Sequence, residues 1–471
     1  MQKMQINLIK GDKVGVETDY RDALPVNMIA INKPMLGANG YMLMFSGLTL
    51  HSESQDKASC RGGVWNERFL EHYRVNGSRF YSVDSEGKQA ELGTVSGSEP
   101  VTMANSFNTQ SIVAGGRFYL YDAINGFREV TDPDLGNPID CVWVDGYYFF
   151  TDGDFLFHTD INNESSIDPL KFATAEFMPD KSLGLAKTQD NKVAVFGRYT
   201  TEYFTNTAQE NFAFQRVQSR AIKIGIVGTH CKAEMGGKFY ILGGRKEESV
   251  GCHAVAVGST QKISTREVEK VIGQYSEPEL KNAVVEAYKE DGYSFVLYHL
   301  PNHTLIFNET IAKSAGIEQA WTILKTPNCG CGVWRGIHMV NDVRLGKWIA
   351  GDRIDGKLGI LDDSTGLQYG DPTEWLLYTP FIYLESASVD LLQIDTIPGF
   401  TGSDDSSVFI SWTKNGHTYG KEWREIYGDK AEYGKRFIAR RFGFVRDRIG
   451  FKMRGSTKSR MAFGRGLIGY G

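Results

Sequence analysis

One short pattern recurs along this chain: a turn containing glycine, followed by an alternating strand rich in aromatic residues. Gly115-Gly116 leads into RFYLYD, Asp145-Gly146 into YYFFTDGDFLFHTD, and Asn191-Lys192 into VAVFGRYTTEYFTN. Gly236-Gly237 leads into KFYILGG, Asp291-Gly292 into YSFVLYHLPNHTLIFNET, and Gly346-Lys347 into WIAGDRIDGKLGILDD. Asn76-Gly77 before SRFYSVD is an earlier copy. Turn pairs of this kind accept the positive φ that tight hairpins need, and alternation of apolar and polar residues marks half-buried strands. The copies are mostly spaced by roughly 40–55 residues, with one short gap near 30, and four-stranded propeller blades repeat at about 40–50. The fold class expected is therefore all-β: an irregular β-propeller of about six or seven blades over residues 1–375. Meandering sandwiches with the same strand spacing are the alternative.

The N-terminal stretch DYRDALPVNM (residues 19–28) fits this picture. Pro25 lacks an N–H and has a fixed φ, so it can open a strand but not sit within one. Val26–Ile31 and Tyr41–Phe45 then read as a hairpin, with Asn39-Gly40 as a turn signal. An N-terminal strand commonly closes a propeller, and Leu24–Ile31 is expected to complete the last blade.

Two regions depart from the blade rhythm. Between about 264 and 290 a helical insertion is expected. Ser276 and Glu279 form a capping box, Pro278 lies in the first turn, and Leu280, Val284 and Ala287 follow at helical spacing. From 376 to 471 the strands read as a separate C-terminal β-sandwich. Within it, residues 414–465 carry 15 Lys and Arg against 5 Asp and Glu, in a chain whose net charge is −5. Arg446, Arg448, Lys452 and Arg454 alternate with Ile449, Phe451 and Met453, which places the cations on one face of a strand. Two readings compete for this face: an edge strand protected from aggregation by its charge, or a contact surface for an acidic partner or DNA.

Catalytic vocabulary is sparse. Gly237-Lys238 is followed by Phe239 and a strand, not by the hydroxyl residue and helix of a phosphate-binding loop. No G-x-S-x-G elbow occurs. His299 and His303 flank Pro301 in a strand-like run, so they cannot copy a helical metal pair. Cys329-Gly-Cys331 is half of a zinc site, and Asp132-Pro-Asp134 reads as a solvated turn rather than a calcium loop. No catalytic residue, cofactor or metal is expected. The six scattered cysteines do not form the dense framework of a small secreted domain, and a cytosolic folding history is expected. MQKMQINLIKGDKVG lacks the pattern of a secretory leader, and no run of 18 apolar residues occurs.

Taken in order, several blocks resemble one family. They are DYRDALPVNMIA (19–30), GYMLMFSGLT (40–49), TEYFTN (201–206), REVEKVIGQYSEPEL (266–280) with DGYSFVLYHLPNHTLIFNET (291–310), HTYGKEWREI (417–426) and RRFGFVRDRIGFKMR (440–454). The chain resembles the tail hub, or packaged-DNA stabilisation, proteins of short-tailed phages. Ser46 departs from the family, which favours proline there, and the C-terminal GRGLIGYG reads as a mobile or partner-docked tail.

The resemblance implies a structural virion protein of the tail, made in the host cytoplasm. It implies a homo-hexameric ring below the portal and its adaptor, which extends the DNA channel, retains packaged DNA and supports the tail needle and tailspikes. Double-stranded DNA would pass without tight binding, as the acidic balance allows. The basic residues Arg440, Arg441, Arg446, Arg448, Lys452 and Arg454 are then assigned to a protein contact, with the 264–290 insertion as a second candidate. A propeller-type glycan hydrolase, which needs paired carboxylates in the central funnel, and a soluble binding propeller are the alternatives.

Overall fold

In a computed structural model, the recurring strands close into blades around one axis. The structure describes residues 2–9, 24–34, 39–175, 177–326, 333–396, 407–416, 418–428, 432 and 436–471. Residues 19–23 of the N-terminal stretch, together with Cys329 and Cys331, lie outside the described residues. The turn pairs behave as their chemistry requires: Gly115, Gly116, Asp145, Gly146, Gly236, Gly237, Asp291 and Gly292 all have positive φ.

Seven antiparallel blades are formed among the described residues. Blades one to six span residues 60–94, 102–129, 140–173, 182–216, 225–262 and 284–324 in chain order. Blade seven combines Gly336–Asp342, Lys347–Asp352 and Lys357–Asp362 with an N-terminal strand, Gly47–Glu53. That strand pairs antiparallel with Lys357–Asp362, Asp362 opposite Gly47 and Lys357 opposite Glu53. The ring is thus closed by the N-terminal side of the chain, but by Gly47–Glu53 and not by Leu24–Ile31.

The hairpin expected over Val26–Phe45 forms, with Met28 opposite Met44 and Ile31 opposite Tyr41. Its place differs from the expected one. Met28–Ile31 and Tyr41–Met44 join the C-terminal strands Ala462–Tyr470, Ala387–Thr396 and Phe437–Val445 in one sheet of the sandwich. Gln2–Ile6 pairs with the far end of Ala462–Tyr470, opposite Ala387–Thr396 and beyond the Tyr41–Met44 pairing on the same edge. The second sandwich sheet contains Asp371–Tyr378, Arg448–Thr457, Ser407–Thr413 and Trp423–Ile426. It continues through Leu367–Gln368 into blade seven, so hydrogen bonding runs unbroken from propeller to sandwich. The boundary expected at 375/376 falls inside the strand Asp371–Tyr378.

The two sheets bury an aromatic core. Trp375 lies 5.0 Å from Phe463 and Phe442 5.0 Å from Phe451, ring centre to ring centre. Each such ring contributes about 1.5–3 kcal/mol on full burial. The hairpin is buried on both faces. Met28, Ala30, Met42 and Met44 face a core shared with the sandwich and blades four to six, while Ile29, Ile31, Tyr41 and Leu43 pack toward Phe295, Ile306 and Trp334.

The insertion is smaller than expected. Helices Arg266–Ile272 and Glu277–Leu280 form, and the Ser276–Glu279 capping box is present. Val284–Glu290 is the inner strand of blade six, not helix. Glu277 binds Arg198 of blade four through both carboxylate oxygens, at 2.6 and 2.9 Å, and Val268 and Ile272 are buried. GRGLIGYG lies within the strand Ala462–Tyr470, flanked on both sides, so it is a central strand rather than a tail.

Candidate functional site

The inner strands of all seven blades line one axial cavity of about 810 Å³. Four of its polar residues, Asp140, His230, Lys232 and Glu286, join blades to one another. The carboxylate of Asp140, on blade three, accepts from Thr102 Oγ1 of blade two (2.6 Å), Leu185 N of blade four (2.7 Å) and Lys232 Nζ of blade five (2.8 Å). One buried acid therefore ties four blades together. Lys232 also donates to the Thr229 carbonyl, so the buried ammonium is matched.

Glu286 plays the same part on the other side. It accepts from His299 Nε2 within blade six at 2.5 Å and from Met339 N of blade seven at 2.7 Å. Those bonds and the nearby imidazoles hold its carboxyl below the usual range despite burial. Across the axis, His230 Nε2 donates to the Pro100 carbonyl at 3.2 Å. Burial and neighbouring Lys232 push the His230 imidazole down to about 4, so it is neutral near pH 7. His338 lines the cavity at a bulge between Ile337 and Val340, with φ +53°, and burial pushes it down to about 3.

Sequence reasoning missed this axial set. The signal that could have found it is a charged residue at corresponding places on successive inner strands: Asp140 before CVWV, Lys232 before AEM, Glu286 within VVEAY. The cavity's two buried carboxylates are both committed to strand-to-strand bonds, which removes the paired acids that a glycan hydrolase would require. The weighed metal candidates also have structural partners. His303 Nδ1 meets Tyr275 Oη at 2.5 Å, away from His299's partner Glu286, and Asp132 accepts from Asp134 N and Ile167 N.

The basic residues of the sandwich divide into two groups. Arg448, Lys452 and Arg454 lie on Arg448–Thr457 and point away from buried Ile449, Phe451 and Met453, as their alternation requires. This strand is not an edge: Asp371–Tyr378 pairs on one side and Ser407–Thr413 on the other. Edge protection therefore does not explain its cations. Arg454 instead forms a two-pronged bond to Glu422 at 2.8 and 2.6 Å, and Lys452 lies 3.8 Å from the same carboxylate. Arg454 holds the Glu422 carboxyl below the usual range. Each cation also sits over a ring: Arg448 over Phe381, Lys452 over Tyr419 and Arg454 over Phe409.

Arg440 and Arg441 lie on Phe437–Val445, the edge strand of the other sheet, and Arg446 lies in the following turn. All three are exposed, and none forms an ion pair among the described residues. A bulge opposite Val389–Leu391, with Arg441 and Gly443 at positive φ, sets this edge apart from regular pairing.

Ring closure by an N-terminal strand, axial charges that join blades, and a sandwich continuous with the last blade define a two-part protein, a seven-bladed propeller joined to a β-sandwich. A family profile described as the beta-propeller of Bacteriophage P22 Gp10 matches residues 4–366, and one described as its beta-sandwich matches residues 374–469. The tail hub protein gp10 of Salmonella phage P22 is 30% identical over 479 aligned residues, covering 98% of each chain. Among solved structures, a catalytically inactive virginiamycin B lyase from Staphylococcus aureus aligns at TM-score 0.46 and 10% identity, over 67% of this chain and 98% of the lyase. The N-terminal domain of Nup159 aligns at 0.42 and 11%, over 72% and 98%. The chain belongs to the gp10 family of phage tail hub proteins, and its role is structural, not enzymatic.

Proposed function

We propose that this chain is the tail hub subunit of a short-tailed phage. It assembles as a six-fold ring below the portal and its adaptor, lengthens the DNA channel, holds the packaged genome in place, and supports the tail needle and tailspikes. The observation that carries the reading is full-length kinship to a tail hub protein through both domains. Two structural features support it. The bond from His230 to Pro100 crosses the axis of the propeller, so a DNA conduit belongs between copies and not through one. The net charge of −5 disfavours tight capture of a duplex that must slide.

Within this reading the basic residues serve a protein contact. Lys452 and Arg454 are already matched by Glu422, which leaves Arg440, Arg441 and Arg446 as the cations best placed to meet a neighbour or the adaptor. The test is to package particles with and without this protein and to measure DNA retention. Loss of DNA from particles that lack it is the expected result, and equal retention would refute the role.

A further inference from the structure

The outer edge of blade three carries an unusual surface. Its last strand, Asn163–Ala173, is an edge strand with Pro169 inside it, and Leu170 is 81% exposed. Beside it, Phe155, Phe157 and Phe172 wall a groove of about 240 Å³, with the rings of Phe155 and Phe172 5.3 Å apart. The groove's other lining residues include Asp134, Asp152 and Asp168. Lys171 is the one cation lining it among the described residues, and Asp160 and Asp168 hold that ammonium at 3.0 and 3.5 Å. Asp134 and Asp152 form no ion pair among the described residues, so the rim is acidic. An apolar slot with an acidic rim calls for an aromatic knob set among cations.

The same chain presents such a knob. Phe444, on the edge strand Phe437–Val445, is 56% exposed, and its carbonyl accepts from Lys414 Nζ at 2.5 Å. Arg440, Arg441 and Arg446 surround it in sequence, all exposed and without ion pairs among the described residues. Pro169 on one edge and the Arg441–Gly443 bulge on the other disfavour direct strand pairing, which leaves side-chain docking.

We propose that Phe444 of one copy seats in the blade-three groove of a second copy, with its arginines facing Asp134, Asp152 and Asp168. The two surfaces are different patches of one chain, so the contact is head-to-tail, the kind that closes into a ring when its rotation closes. This rests on the reading of the chain as a multi-copy hub subunit and names the surfaces that join its copies.

The test places a photoreactive benzoyl-phenylalanine at position 444. Isotopically heavy and light copies are mixed, both at high concentration in solution and in assembled particles, and cross-links are mapped by mass spectrometry. The expected result is a heavy–light cross-link from 444 to the peptide spanning Phe155–Phe172. Asp134→Lys with Asp168→Lys should abolish it, and Arg440→Glu with Arg446→Glu added in the same chain should restore it. A 444 cross-link confined to another protein, to another part of this chain, or absent in both settings overturns the proposal. Incorporation into particles is scored separately. Copies present in the tail without this cross-link sink the contact alone, whereas a heavy–light cross-link in solution without incorporation upholds the contact and sinks the hub assignment.

Discussion

The side-chain amide of Asn27 donates to the backbone carbonyl of Glu374 at 2.7 Å, joining the N-terminal segment to the sandwich. The same nitrogen donates to the Lys325 carbonyl of the blade-six side at 3.0 Å, and Oδ1 accepts from Lys325 N at 2.9 Å. Val26 adds paired backbone bonds to Leu376, and Ile323 N donates to the Pro25 carbonyl. Pro25 thus opens a three-way junction between blade six, the sandwich and the hairpin. Its carbonyl is used where its missing N–H costs nothing.

Asn27→Ala should destabilise the protein by about 2–4 kcal/mol, from lost buried hydrogen bonds and from alanine at φ +52°. Asn27→Gly relieves the backbone and should recover part of that loss. Denaturant unfolding of the three proteins checks the order. Equal stability of wild type and Asn27→Ala would remove the junction from the account.

Much of the propeller is legible in the sequence because its cause is local. Turn pairs such as Asp145-Gly146 and Asp291-Gly292 announce each hairpin, and the alternation from Arg448 to Arg454 reveals which side faces the core. The failures share a non-local cause. MIAI and YMLM are buried on both faces, so they read as plain apolar runs with no sign of which sheet they join. Val284 and Ala287 mimic helical spacing, yet Val284–Glu290 pairs with Tyr293–His299 through a tight turn at Asp291-Gly292. The strand Arg448–Thr457 carries an edge-like charge pattern, but its neighbours arrive from Asp371–Tyr378 and Ser407–Thr413. Of the candidate site, the basic residues are visible in the sequence. Their division into matched and unmatched cations depends on Glu422 and on distant pairing.

Asp140→Ala should cost about 3–5 kcal/mol, because it leaves the Lys232 ammonium buried without its partner. Replacing Lys232 as well, by Met, should recover a large part of the loss. A thermal-unfolding double-mutant cycle reads this directly, and additive losses would contradict the coupling of blades two to five through one carboxylate.

Acid should weaken the propeller before it protonates most carboxylates. His230 is pushed down to about 4, and His72 and His338 to about 3, against an ordinary value of 6.5. The unfolded chain therefore takes up protons that the native state refuses. The stability these neutral imidazoles confer is complete above about pH 6.5 and is lost as pH falls toward 4 and 3. Each site adds a slope of up to about 1.4 kcal/mol per pH unit. His230→Gln should flatten the fall in melting temperature between pH 6.5 and 4, and an unchanged slope would exclude His230 as a contributor.

Charge reversal should separate the two groups of cations. Arg454→Ala removes a partly exposed pair with Glu422 and should cost no more than about 1 kcal/mol. Arg440→Glu with Arg441→Glu and Arg446→Glu should leave melting nearly unchanged and block incorporation into particles. Normal incorporation of the triple variant would show that the exposed edge makes no essential contact.

The hub assignment is tested most directly by a cryo-electron-microscopy reconstruction of the tail from particles that contain this protein. Six propeller-and-sandwich bodies in a ring beneath the adaptor, with the DNA path between them, are the expected result. A tail with no such ring, or with DNA density inside a single propeller, would contradict it.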